Sequence, residues 1–166
     1  MSFGAQLSAK NQSSKPASES PPQEQLVSLL GHYQNGRLIE AEKLSGKIAE
    51  DFPNHHFAWQ VLGVVLSLTG RKAEALDAMQ TVVVLTPRDP EAHYNVGVLL
   101  QEMGKLEEAE VSYKKAIALD PDAAEAHRNL GVLLQELSRL EEAEASYNRA
   151  IVLNPDFAEA FCNLGN

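Results

Sequence analysis

The chain has 166 residues, is 44% hydrophobic, and carries 14 basic against 23 acidic residues, a formal net charge of -9 at pH 7. That apolar content excludes wholesale disorder, and the acidic balance argues against a phosphate backbone as main partner. No apolar run approaches the roughly 18 residues of a membrane span, no apolar leader is visible at the N-terminus, and the single cysteine, Cys162, leaves no internal disulfide, so a soluble protein of a reducing, cytoplasmic setting is expected.

Residues 1–21 are rich in Ser, Gln, Lys and Pro, sum to +1, and hold one early aromatic, Phe3. They lack helical periodicity and cannot bury enough apolar surface to offset their ordering entropy, so a disordered tail is expected there. From about Gln23 onward, amphipathic helical runs follow one another with short breaks. The charge is uneven along them: residues 22–89 hold 6 basic and 8 acidic side chains, and residues 90–166 hold 6 and 14.

An internal repeat organises these runs. Gly63, Gly97, Gly131 and Gly165 stand 34 apart, as do Ala41, Ala75, Ala109 and Ala143, and Pro53, Pro87, Pro121 and Pro155. Gly36, Gly70 and Gly104 keep the same step, with Ser138 in the fourth slot. The expected units are a divergent first one at 22–55, then 56–89, 90–123 and 124–157, with 158–166 as the truncated start of a fifth. This stub makes the sequence look like a fragment of a longer array. Within the third unit, Ala92, Val96, Leu99, Leu100 and Met103 form one helical stripe, and Leu106, Ala109, Tyr113, Ala116 and Ile117 form a second. Gly104 should break the chain between them by adopting the left-handed conformation. Pro121 should end the second helix, and Asp122 is placed to cap the next. Gly97, Ala109 and Ala116 are small enough to let paired helices approach closely.

At these residues the sequence resembles the tetratricopeptide repeat. The pattern of aromatic, Leu-Gly, Ala, aromatic, Ala, Pro appears as Trp59, Leu62-Gly63, Ala75, Met79, Val82, Pro87. It recurs as His93, Val96-Gly97, Ala109, Tyr113, Ala116, Pro121, and as His127, Leu130-Gly131, Ala143, Tyr147, Ala150, Pro155. The first unit departs from it, with Leu29 in the glycine slot, Ser45 in the aromatic slot and Ile48 in the alanine slot. The resemblance implies an all-α, right-handed alpha-solenoid of helix-turn-helix units. A narrower likeness, to the repeat arm of O-linked N-acetylglucosamine transferases and their bacterial relatives, rests on 156–166 and on an asparagine two residues before the glycine. Here that slot holds Asn95, Asn129 and Asn163, but Val27 and Val61 in the first two units. In that family the asparagines form a ladder along the inner groove.

No HExxH, GxxxxGK[ST], GxSxG or GxGxxG sequence occurs, so the chain reads as non-catalytic, with no cofactor and no metal expected. His55-His56 lacks a spaced third ligand and reads as a solvated pair at a helix start. His93 and His127 share a column with Trp59 and Phe161 and read as packing residues. Leu106-Glu-Glu-Ala-Glu110 and Leu140-Glu-Glu-Ala-Glu144 each open a second helix, their acids complementing its dipole, with Glu110 spaced to pair with Lys114. Both runs read as a solvated outer face, and Cys162, with no basic neighbour, as an inert thiol.

The other face of the first helices is the candidate binding surface. It carries Glu91, Tyr94, Asn95, Val98, Gln101 and Glu102 in the third unit, and Glu125, Arg128, Asn129, Val132, Gln135 and Glu136 in the fourth. The second unit presents Phe57, Gln60, Val64, Ser67 and Leu68, a greasier patch. The resemblance puts this face on the concave side, where a protein or an extended peptide would lie. The expected function is therefore a protein-binding scaffold without nucleic-acid or membrane partners. The other readings are a substrate-recognition arm of a larger glycosyltransferase-like enzyme and a module that self-associates through its array ends.

Overall fold

Two apolar stripes in every 34 residues demand one turn inside each unit and another between units. The computed structural model describes residues 20–158, and makes both turns throughout. Eight full helices result, a further one begins at 156–158, and no strand occurs among the described residues: α1 (Gln23–Gln34), α2 (Leu38–Asp51), α3 (His56–Leu68), α4 (Lys72–Leu85), α5 (Pro90–Glu102), α6 (Leu106–Leu119), α7 (Ala124–Glu136) and α8 (Leu140–Leu153). The expected tail, apart from Ser20 and Pro21, and the expected stub, apart from Ala158, lie outside the described residues.

The turns inside the units share one construction. Gly36, Gly70 and Gly104 have φ of 68°, 82° and 74°. The residue after each reaches back to close the last helical turn, as when the Lys105 amide donates to the Leu100 carbonyl at 2.9 Å. This six-to-one bond satisfies a carbonyl that the ended helix would otherwise leave orphaned. Ser138 makes the same turn at φ 59°, and Arg139 donates to Leu134 at 2.8 Å. A side chain in this region costs about 1–2 kcal/mol, against about 0.5–1 kcal/mol of extra chain entropy that glycine loses on folding. Ser138→Gly should therefore stabilise the array by about 0.5–1 kcal/mol, read as a rise of a few degrees in a thermal melt. A lower melting temperature would show that the serine turn carries no strain.

Between units, one helix cap differs from that expected of the sequence. Asp89 caps α5, its carboxylate accepting from the Glu91 amide at 3.0 Å. Asp122 does not cap α7: the N-cap there is Ala123, without a side-chain bond. Asp120 instead accepts from the amide of Asp122 at 3.1 Å, and this small turn leaves the Asp122 carboxylate on the surface, where Arg149 donates to it at 3.0 Å.

The helices pack in sequence, each against its neighbours, and α5 also touches α7 across the intervening helix. Both stripes of the third unit lie inward: Ala92, Val96, Leu99, Leu100, Ala109, Tyr113 and Ala116 are buried, with Met103 and Ile117 packed against them. Inside three units a glycine faces a large side chain. A Cβ built on Gly63 would stand 2.9 Å from Met79, one on Gly97 2.7 Å from the Tyr113 ring, and one on Gly131 2.6 Å from Tyr147. The first unit exchanges the two sizes. Leu29 occupies the glycine slot and Ser45 the aromatic one, and both are 0% exposed. Its departure from the repeat pattern is thus a volume-conserving swap, the kind of change close-packed interiors tolerate. The Ser45 hydroxyl, buried with it, donates to the Glu42 carbonyl at 3.0 Å.

Two apolar clusters result. One joins Leu29, Ala41 and Ile48 to Ala58, Val61 and Val65 of α3, and the other runs from Leu66 to Ala143. Trp59 is packed against both.

Candidate functional site

The column of Trp59, His93 and His127 has a structural use. Trp59 Nε1 donates to the Pro53 carbonyl at 2.9 Å, and His93 and His127 place Nε2 3.1 Å from the carbonyls of Pro87 and Pro121. Since a carbonyl only accepts, each histidine donates from Nε2. Each ring thus fastens a first helix to the turn preceding it, a more specific task than the packing role expected of these histidines. Phe161, in the same column, lies outside the described residues.

His55 and His56 are not equally solvated. Their rings stack at 6.0 Å between centroids, and His56 is exposed while His55 is half-buried. Burial, with the neighbouring His56 ring, lowers the His55 pKa below the ordinary histidine value. No group of three or more potential ligands gathers among the described residues.

The acidic runs opening α6 and α8 are also divided in role. Glu107, Glu108, Glu141 and Glu142 are exposed, but Glu110, with its side chain only 14% exposed, joins two units. It takes Lys114 at 2.7 Å and Arg139, from the next unit, at 2.7 Å. The Lys114 bond, then that of Arg139, holds its carboxyl below the usual carboxylate range. Arg71 repeats the arrangement, bridging Glu74 to Glu42 of the preceding unit. The i,i+4 pair was visible in the sequence, whereas the inter-unit pairs, 29 residues apart, carry no local signal.

The candidate binding face separates into committed and uncommitted groups. Gln101 is committed at both ends: its Oε1 accepts from the Tyr113 hydroxyl at 2.9 Å, and its Nε2 donates to Glu136 at 2.9 Å. Gln135 Oε1 accepts from Tyr147 at 2.9 Å, and Glu102 pairs with Lys72 at 3.2 Å. Burial pushes the Tyr113 and Tyr147 hydroxyls above the ordinary tyrosine pKa, so both stay protonated donors to these amides. Asn129 spends one donor on the Tyr94 hydroxyl at 3.0 Å, across the boundary between the third and fourth units. The Tyr94 ring leans on Tyr113, 6.0 Å between centroids.

Asn95, half-buried, lines a small cleft of about 110 Å³ with Val64, Ser67, Leu68 and Val98. Here the polar third unit meets the greasier second, where Leu68 is 62% exposed. Val132 is half-buried on α7. Arg128 donates from Nε to Glu125 at 3.0 Å and lies 5.7 Å from the centroid of the Phe157 ring. A larger cleft, of about 450 Å³, opens between the starts of α5 and α7, with Tyr94 and Phe157 in its walls. Asn163 and Cys162 lie outside the described residues.

Residues 100–138 match the family model described as TPR repeat, and residues 124–157 match that described as Tetratricopeptide repeat. No curated protein sequence matches the chain. Among solved structures the chain is similar to one described as "Crystal structure of MamA", at 21% identity and TM-score 0.77, over 87% of this chain and 83% of that one. "Crystal structure of MamA protein" gives 22% identity and TM-score 0.78 over 83% and 75%. A MamA fragment from Desulfovibrio magneticus RS-1 gives 24% and 0.76 over 82% and 77%. These likenesses establish the fold, an all-α solenoid of helix-turn-helix repeats, and the family models support the tetratricopeptide repeat in its second half. No helix among the described residues is long and apolar enough to cross a membrane.

Proposed function

We propose that the chain is a non-catalytic scaffold that binds a protein through an extended segment laid along the first helices. The observation carrying this reading is the unspent hydrogen-bonding capacity of Asn95 beside the apolar shelf of Val64, Leu68 and Val98. An amide offers one acceptor and two donors, matching the C=O and N–H of a peptide unit. Asn129, on the next first helix, keeps its carbonyl oxygen after donating to Tyr94. Equivalent contacts on stacked helices about 8–10 Å apart would span roughly three residues of extended peptide. Tyr94, Arg128 and Val132 would add selectivity, and the committed Gln101, Glu102, Gln135 and Glu136 would border the groove. Asn163 would continue the asparagine series. The likeness to a glycosyltransferase arm rests on this asparagine slot and on residues 156–166.

The double change Asn95→Ala, Asn129→Ala tests the reading. Affinity for a peptide selected on the intact protein should fall by about 1–3 kcal/mol, from bonds worth about 0.5–1.5 kcal/mol each. The melting temperature should move little at Asn95, and at Asn129 by the lost contacts to the Tyr94 and Tyr113 hydroxyls. A stability loss with unchanged affinity of the folded protein would make both amides purely structural.

A further inference from the structure

The 450 Å³ cleft between the starts of α5 and α7 is larger than the asparagine cleft and differs from it in chemistry. Its floor is apolar, with Ala116 and Ala126, and its walls include the rings of Tyr94 and Phe157. Four carboxylates stand around it, and two of them are already used by the backbone: Asp89 caps α5, and Asp120 holds the amide of Asp122. The remaining two face the cleft with capacity to spare. Glu91 has only a long contact, 3.5 Å, from Gln60, and Glu125 gives one oxygen to Arg128.

We infer that this cleft receives a basic side chain, lysine or arginine, from the extended segment bound along the first helices. The inference rests on the peptide-binding reading above and names what that peptide must contain. An aliphatic stem would lie on the alanine floor while its charged head reaches Glu91 and Glu125, the usual disposition of long cationic side chains. The chain already places one guanidinium in this environment: Arg128 is held by Glu125 and lies over Phe157. Aromatic faces attract cations in the same way from a partner. Tyr94 contributes a second element. Its oxygen accepts from Asn129, so its own hydrogen is free to donate to a backbone carbonyl of the bound segment. An acidic side chain is excluded by like charge, and an aliphatic one leaves the spare accepting capacity of Glu91 and Glu125 unused.

The test uses the full chain, isotopically labelled, with three capped heptapeptides of alanine bearing lysine, norleucine or glutamate at the centre. Amide resonances of Tyr94, Ala126 and Phe157 report on the cleft, and those of Asn95 and Val98 on the asparagine groove. The lysine peptide should move the cleft resonances with an affinity at least fivefold above the norleucine peptide, and the glutamate peptide should leave them still. Glu91→Gln should remove most of that preference, and raising salt should shrink it. Equal affinity for lysine and norleucine peptides would overturn the cation site while leaving peptide binding intact. Lysine-dependent shifts confined to the exposed acids of α6 and α8 would also overturn it, as attraction to a generally acidic surface. Silence of both sets of resonances with all three peptides would remove the cleft proposal and the peptide-binding reading together.

Discussion

Replacing Gly97 by Leu should cost the array more stability than any surface substitution, and a second change inside the same unit should restore much of the loss. The Tyr113 ring lies 2.7 Å from where even a Cβ on Gly97 would sit, and Tyr113 is 1% exposed, so the ring has nowhere to go. Overpacking of this kind costs about 1–3 kcal/mol or more. Tyr113→Ser alone should cost about 3–5 kcal/mol, because it leaves a cavity and strips Gln101 of its donor. The pair Gly97→Leu, Tyr113→Ser recreates the Leu29 and Ser45 combination of the first unit. Chemical denaturation of the four proteins of this cycle should give a favourable coupling of about 1–3 kcal/mol. Simple additivity of the two losses would show that the first unit reaches its packing by another route.

The second large effect is expected at Trp59, the chain's only tryptophan. It packs against both apolar clusters and ties α3 to the Pro53 carbonyl. Trp59→Ala should cost about 3 kcal/mol, toward the lower end for tryptophan because the ring is only half-buried. In an array whose stability sums unit and interface terms, that loss falls on the joint between the first unit and the rest. Unfolding followed by circular dichroism should then separate into two transitions, the first involving α1 and α2. Trp59→His should retain a single transition, since histidine makes the equivalent bond in the next two units. A single cooperative transition for Trp59→Ala would show that the joint is held elsewhere.

The sequence showed most of the backbone and part of the face. Gly36, Gly70 and Gly104 marked left-handed turns because few other residues go there readily, and Ser138 was placed in their series by spacing alone. The stripes of the third unit followed from helical periodicity, a property of neighbours three and four residues apart. What periodicity cannot carry is the choice of partner between units. Gln101 and Glu136 are both polar residues on solvent-facing slots, and only the stacking of α5 beside α7 brings them to 2.9 Å. Glu110 looks solvated in the sequence for the same reason, since Arg139 reaches it from 29 residues on. At Asp122 the departure from the expected cap is local: two aspartates flank Pro121, and the first closes the turn before the second can cap.

The two asparagines of the face differ in rotational freedom. Asn129 is oriented by Tyr94, so its amide presents a fixed polarity, with the oxygen end left over. Asn95, in its cleft with Val64, Ser67, Leu68 and Val98, has no tyrosine hydroxyl among those neighbours to orient it. A polypeptide lying along both would accordingly be read for chain direction at Asn129, while Asn95 would grip strands running either way. On the peptide-binding proposal, Tyr94→Phe should therefore relax discrimination between the two chain directions as well as remove one contact.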